Sequence, residues 1–179
     1  ALSTQSTASA PTASSAASDG YKGQLRNDAL FALGIATVTG AKFIRVNVHY
    51  GVMAAEEGLI DGNAYKTMRH RKNIGSDVNV LADILVKHAV PLGPVDLGQI
   101  AKETAQRGLA DGLIVSGSAT GLVTDNRDIS VVRQAVPDGL VLVGSGIKEE
   151  NIRSLIEHPH GAILGTSLKK EGTNNQQVD

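Results

Sequence analysis

Five short apolar runs alternate with stretches of helical spacing between residues 28 and 164, and this alternation narrows the folds open to the chain more than any other feature. Parallel strands need a crossover, and a helix is the usual one, so regular strand–helix alternation indicates βαβ units. The apolar runs are 41–50 (AKFIRVNVHY), 78–87 (VNVLADILVK), 110–116, 139–143 and 161–164. The helical segments are 28–38, 63–74, 96–107, 128–136 and 149–156. Asn27 or Asp28 and then Asp96 stand where N-caps belong, and Glu149 and Glu150 would favour the dipole of a first turn. Between the first run and its helix, Gly51, Gly58, Asp61 and Gly62 read as a loop.

The first run alternates Ile44, Val46 and Val48 with Arg45, Asn47 and His49. In an open antiparallel sheet this would mean one solvated face. In a β/α barrel the outward face is covered by helices, which sends Arg45, Asn47 and His49 into the interior near the catalytic end. Three inward polar groups are costly unless they serve a site. In the second run Asp83 shares a face with Leu85 and Lys87, and a carboxylate in so apolar a strand needs a partner, either Lys87 or Arg45. Ser116 and Ser118 share inward parity with Ile114, and His88 stands at the end of the second run. The basic residues Arg69, Arg71 and Lys72 read as a solvated helix surface.

Two runs break into glycine and hydroxyl residues, at Gly144, Ser145 and Gly146 and again at Gly165, Thr166 and Ser167. Glycine is the ordinary residue of any tight strand-to-helix turn. The position of both breaks at the end of a series of βα units favours a phosphate cradle, since the last two loops of a β/α barrel commonly bind phosphate through backbone N–H groups.

At 179 residues the chain is shorter than the roughly 250 of a complete barrel. Its net charge of −1 gives no pull toward nucleic acid, and no apolar run approaches a membrane span. The absence of cysteine excludes disulfides, Cys-ligated zinc, iron–sulfur clusters and thiol nucleophiles. Residues 1–20 are rich in Ser, Ala and Thr and carry too little apolar surface to offset the entropy of ordering, so a disordered segment is expected there. A barrel domain is expected over 21–170 and a polar tail over 171–179. A transit peptide should be Arg-rich, and no Lys or Arg precedes Lys22, so the expected location is cytoplasmic. An organelle is the alternative, if the first segment is a targeting remnant. An N-terminal Ala in place of Met suggests a processed or truncated product.

The string Leu25, Arg26, Asn27, Asp28, then 40–48 (GAKFIRVNV), Leu81, Ala82, Asp83, then 86–89 (VKHA), 108–111 (GLAD), 115–121 (VSGSATG), Gly144 to Gly146 and Gly165 to Ser167 resembles the BtpA/SgcQ family in order and spacing. The resemblance implies an α/β fold, a (β/α)8 TIM barrel akin to ribulose-phosphate-binding barrels. It also implies either a role like photosystem I biogenesis or sugar metabolism, with no settled reaction to carry over. Family members begin with two further βα units. The five runs therefore correspond to strands four to eight and 21–24 to a remnant of the third, a partial barrel covering roughly strands three to eight. Open parallel edges are an aggregation liability. Either the chain is part of a longer protein, the preferred reading, or a second chain or copy covers the edges.

A site at the strand ends would use Asp83 and Lys87 for proton transfer, or Lys87 as a Schiff-base amine. His49 would be the second acid or base, Asn47 would stabilise an enolate-like oxygen, and Arg45 would complete the catalytic set. His88, Ser116 and Ser118 would line the pocket. The competing reading is a structural ion pair at Asp83. No cofactor is expected, and no metal, because His49, Asp83 and His88 have ligand chemistry without a compact motif. Ser116 lacks a nucleophile elbow. The expected ligand is a phosphorylated sugar-like metabolite, handled by isomerase, lyase or aldolase chemistry. The alternatives are an assembly factor and an inactive truncated form.

Overall fold

The computed structural model describes residues 28–86, 88–117, 124–148, 151 and 159–163. Its first helix, α1 (Ala29–Thr39), starts where the Asp28 carboxylate accepts the Phe31 N–H at 3.1 Å, which satisfies one of the four orphan donors of a helix start. The strand β1 (Phe43–Val46) follows. Next come a hairpin of β2 (Val52–Ala55) and β3 (Gly58–Asp61), the helix α2 (Ala64–Asn73) and the strand β4 (Asn79–Asp83). The short β5 (Ala89–Pro91) leads to α3 (Leu97–Gln106), capped by Asp96 through the Gln99 N–H at 2.9 Å. The chain continues through β6 (Gly112–Val115), α4 (Asn126–Ala135), β7 (Leu140–Val143) and β8 (Gly161–Ala162).

The architecture is α/β, a partial (β/α)8 barrel. Its main sheet is parallel and runs β1-β4-β6-β7-β8, with Val46, Ala82, Leu113 and Val141 in one register row. Strands that add in sequence order, without the reversal that marks a doubly wound sheet, keep their right-handed crossover helices on one face. Leu33 and Ala36 of α1 pack there against Ile44, Val46, Val78 and Val80. Ala101 of α3 and Ile129 and Val132 of α4 pack against Leu113, Val115, Val141 and Val143. The opposite face carries the other parity, including Arg45, Leu81, Asp83 and Ile114.

The strands are shorter than their apolar runs. The alternation of 41–50 holds through Val46, after which the backbone bends, so Val48 and His49 no longer obey strand parity and both are buried. The expected loop around Gly51 and Gly58 is instead a hairpin, and β5 pairs antiparallel with β2 to form a small sheet ordered β3-β2-β5. Pro91 is tolerated in it because β5 is an edge strand. The helix α4 begins at Asn126, ahead of the expected Asp128, because Asp125 caps it through the Arg127 N–H at 2.8 Å. The expected segments 1–20, 21–24 and 171–179 lie outside the described residues, as does the expected helix 149–156 apart from Asn151.

Candidate functional site

The end of a parallel strand is where the alternation last holds, so a polar residue of inward parity there meets its counterparts from neighbouring strands. Arg45 is the third residue of β1, Asp83 the last of β4, Ser116 the first after β6 and Gly144 the first after β7. Arg45 donates from Nε to Asp83 Oδ2 at 2.9 Å and from Nη2 to Asp83 Oδ1 at 2.8 Å. This two-pronged contact constrains the guanidinium plane as well as its position. Burial opposes charge on Arg45, but the hydrogen bonds and attraction of Asp83 outweigh it and hold the guanidinium above its ordinary value. The Asp83 side chain is 2% exposed and that of Arg45 33%, so the carboxylate lies beneath and the cation opens to solvent.

Ser116 Oγ donates a long hydrogen bond, 3.4 Å, to Asp83 Oδ1. A methyl group at Gly144 would lie 2.4 Å from Ile114 Cγ2, 2.6 Å from Ser116 Oγ and 3.2 Å from Arg45 Nη2. Gly144 is therefore a packing necessity: its missing side chain is the space in which Arg45 and Ser116 approach the β7 turn. Its N–H donates to Val115 O at 2.8 Å and so extends the ladder between β6 and β7, which leaves any other acceptor at this turn to the amides that follow.

Those amides belong to a tied turn. Ser145 Oγ accepts the Gly117 N–H at 3.1 Å, which joins the loop after β7 to the loop after β6. Ser145 O accepts from Thr124 Oγ1 at 3.1 Å, and Gly146 O accepts from Asn151 Nδ2 at 2.8 Å. Gly146 has φ 73, a left-handed conformation that glycine adopts without a Cβ penalty. Thr124 and Asn151 carried no sequence signal. Each is a single polar residue that ties down a backbone carbonyl, Ser145 O at 21 positions from Thr124 and Gly146 O at five from Asn151.

The other expected site residues are not all gathered here. The His49 ring is 1% exposed and donates from Nε2 to Gly108 O at 2.8 Å, a bond to the turn between α3 and β6 rather than to Asp83. Since a carbonyl only accepts, the proton sits on Nε2, and Nδ1 has no partner among the described residues. Burial pushes the His49 imidazole below its ordinary value, against the Gly108 carbonyl and Asp111, which favour the charged form. Asn47 is half-buried in the bend after β1, and His88 is exposed just before β5. Lys87, Ser118, Gly165, Thr166 and Ser167 lie outside the described residues, so of the two candidate partners for Asp83 the described one is Arg45. Among the described residues no three His, Asp or Glu side chains gather closely enough to hold a metal ion. No described helix is long and apolar enough to cross a membrane.

The sequence profile of the BtpA family matches residues 23–179. The photosystem I biogenesis protein BtpA of Synechocystis is 50% identical over 155 residues, 87% of this chain and 54% of that protein. An uncharacterized protein of Methanocaldococcus jannaschii is 41% identical over 87% of this chain and 58% of its own length. The sgc region protein SgcQ of Escherichia coli is 36% identical over 85% of this chain and 57% of its own. The chain thus spans little more than half the length of these relatives. Among solved structures, the YdjI aldolase of Escherichia coli superposes with a TM-score of 0.53 at 19% identity, covering 80% of this chain and 51% of that one, a likeness of fold.

Proposed function

The chain belongs to the BtpA family, and from that premise we propose that it binds a phosphorylated small metabolite, of sugar phosphate type, at the C-terminal rim of its parallel sheet. The observation that carries this reading is the approach of the Arg45 guanidinium to the Gly144 turn, with Asp83 fixing its plane and Ser116 beside it. In parallel α/β folds ligands bind outside the carboxyl ends of the strands, and the loops after the last barrel strands serve phosphate. Arg45 would meet the anion with the edge that Asp83 leaves uncovered, together with backbone N–H groups of the β7 turn.

In this reading Asp83 orients Arg45, and the chemistry, in a complete barrel, is isomerase-, lyase- or aldolase-type proton transfer with Lys87 as the amine or base. Gly165, Thr166 and Ser167 would supply the second half of the cradle. The test is a thermal-shift titration with inorganic phosphate and sugar phosphates, on this chain and on a full-length form. A bound ligand stabilises the folded chain by about 2.7 kcal/mol at a hundred times Kd, so the melting temperature rises with ligand concentration. Arg45→Met should abolish the shift. A wild-type melt that ignores every phosphate ester sinks the reading.

A second reading is favoured by the 50% identical relative named for photosystem I biogenesis: a non-enzymatic assembly or stability factor. It expects Asp83→Asn and Lys87→Ala to leave that biological role intact, whereas a metabolite-processing role expects both to impair it.

A further inference from the structure

We infer that Thr124 and Asn151 are positioning residues of the proposed anion site, and that what they position is a pair of backbone amides shaped for a tetrahedral oxyanion such as a phosphate ester. The inference rests on the reading above and adds to it the groups that aim the cradle.

In a trans peptide the carbonyl of one residue and the N–H of the next point in opposite directions from the same plane. The described residues contain no cis peptide bond. Pinning a carbonyl therefore aims an amide. Thr124 Oγ1 holds Ser145 O at 3.1 Å, which directs the Gly146 N–H away from Thr124. Asn151 Nδ2 holds Gly146 O at 2.8 Å, which directs the Ile147 N–H away from Asn151. Gly146 lies between these two planes with φ 73. A left-handed residue inside a turn is the conformation in which successive N–H groups form an anion-binding concavity.

The remaining contacts narrow the cradle to the same place. The Gly144 N–H is committed to Val115 O, and the Lys148 N–H to Asn151 Oδ1 at 2.7 Å, so the flanking amides are taken, and no acceptor among the described residues claims the Gly146 and Ile147 N–H groups between them. Asn151 does two jobs through one amide group, accepting from Lys148 and donating to Gly146. Thr124 is 1% exposed, and a buried hydroxyl that donates to a loop carbonyl resists displacement by water. The energetic advantage is preorganisation: the two peptide planes are set before the anion arrives, so binding does not have to order them.

The test uses the chain with inorganic phosphate as probe, followed by the 15N–1H resonances of Gly146 and Ile147, with sodium chloride at matched ionic strength as control. In the wild type both amides should shift on titration with phosphate. Thr124→Val and Asn151→Leu keep the shape and remove the donor. Each should weaken phosphate binding by about tenfold, or about 1.4 kcal/mol, while the spectrum away from the turn stays unchanged. Thr124→Ser, which restores the hydroxyl, should bind as the wild type does. Asn151→Asp keeps the acceptor for Lys148 and loses the donor to Gly146, and should weaken binding even if Asn151→Leu fails to fold. Folded Thr124→Val and Asn151→Asp variants that bind phosphate within twofold of the wild type would overturn the inference and leave the phosphate reading standing. A wild type that does not bind phosphate would overturn both.

Discussion

Arg45→Met should destabilise the chain more than Asp83→Leu, although both break the same pair. The reason is the difference in burial: the Asp83 side chain is 2% exposed and that of Arg45 33%. Removing Arg45 deprives a carboxylate beneath the rim of two charge-assisted donors at 2.9 and 2.8 Å. Breaking a buried pair in this way costs about 3–5 kcal/mol. Removing Asp83 leaves a guanidinium that already reaches water, and screening reduces the loss to about 1–2 kcal/mol. Replacing both by apolar side chains removes the buried charge along with its partner, so the double variant should lie within about 1 kcal/mol of the wild type. Urea unfolding followed by circular dichroism reads all four corners of the cycle. At about 2–4 °C per kcal/mol for a chain of this size, the gap between the single variants should also be visible in a melt. An Asp83→Leu penalty equal to or larger than that of Arg45→Met, or a double variant as unstable as the sum of the two, would refute the reasoning.

Three further outcomes follow from the same geometry. His49 is held neutral by burial, so the unfolded chain binds a proton that the folded chain does not as pH falls below the ordinary histidine value of about 6.5. The stability advantage of wild type over His49→Gln should be full above that pH and decline below it, by at most about 1.4 kcal/mol per pH unit; urea midpoints from pH 5.5 to 8 measure it, and a difference flat in pH would contradict it. Gly144→Ala should cost about 1–3 kcal/mol, because the new methyl overlaps Ile114 and Ser116 and pushes on Arg45, and its phosphate affinity should fall with its melting temperature. Asp111 Oδ2 accepts the Val80 N–H at 2.7 Å and pairs with Arg71, so Asp111→Ala should lower stability by about 1–3 kcal/mol in urea titrations.

Local chemistry was legible from the chain. Asp28 and Asp96 cap helices through donors three residues away, and such contacts need nothing from the rest of the fold. The parity of Ile44, Arg45 and Val46 was also legible, because period-two alternation is a property of one strand. It failed at His49 because a strand's length is set by its neighbours, and β1 stops pairing with β4 at Val46. The β2–β3 hairpin is not legible in the sequence because its turn is Glu56–Glu57, without the Asn-Gly or Asp-Gly signature of two-residue loops. The β7 turn was recognisable as a turn, but not that Gly144 makes room for side chains, nor that Thr124 and Asn151 tie down its carbonyls.

What the sequence alone determined is the βαβ alternation, the helix starts, the inward parity of Arg45 and Asp83 and the family to which the chain belongs. Tertiary structure decided which residues meet: Arg45 with Asp83 across 38 positions, Ser145 with Gly117 across 28, His49 with Gly108 across 59. The physical reason lies in range. Backbone conformation and burial periodicity act over a few residues and leave their mark on adjacent letters, whereas a hydrogen bond between strand ends depends on register and crossover geometry, which no single segment encodes.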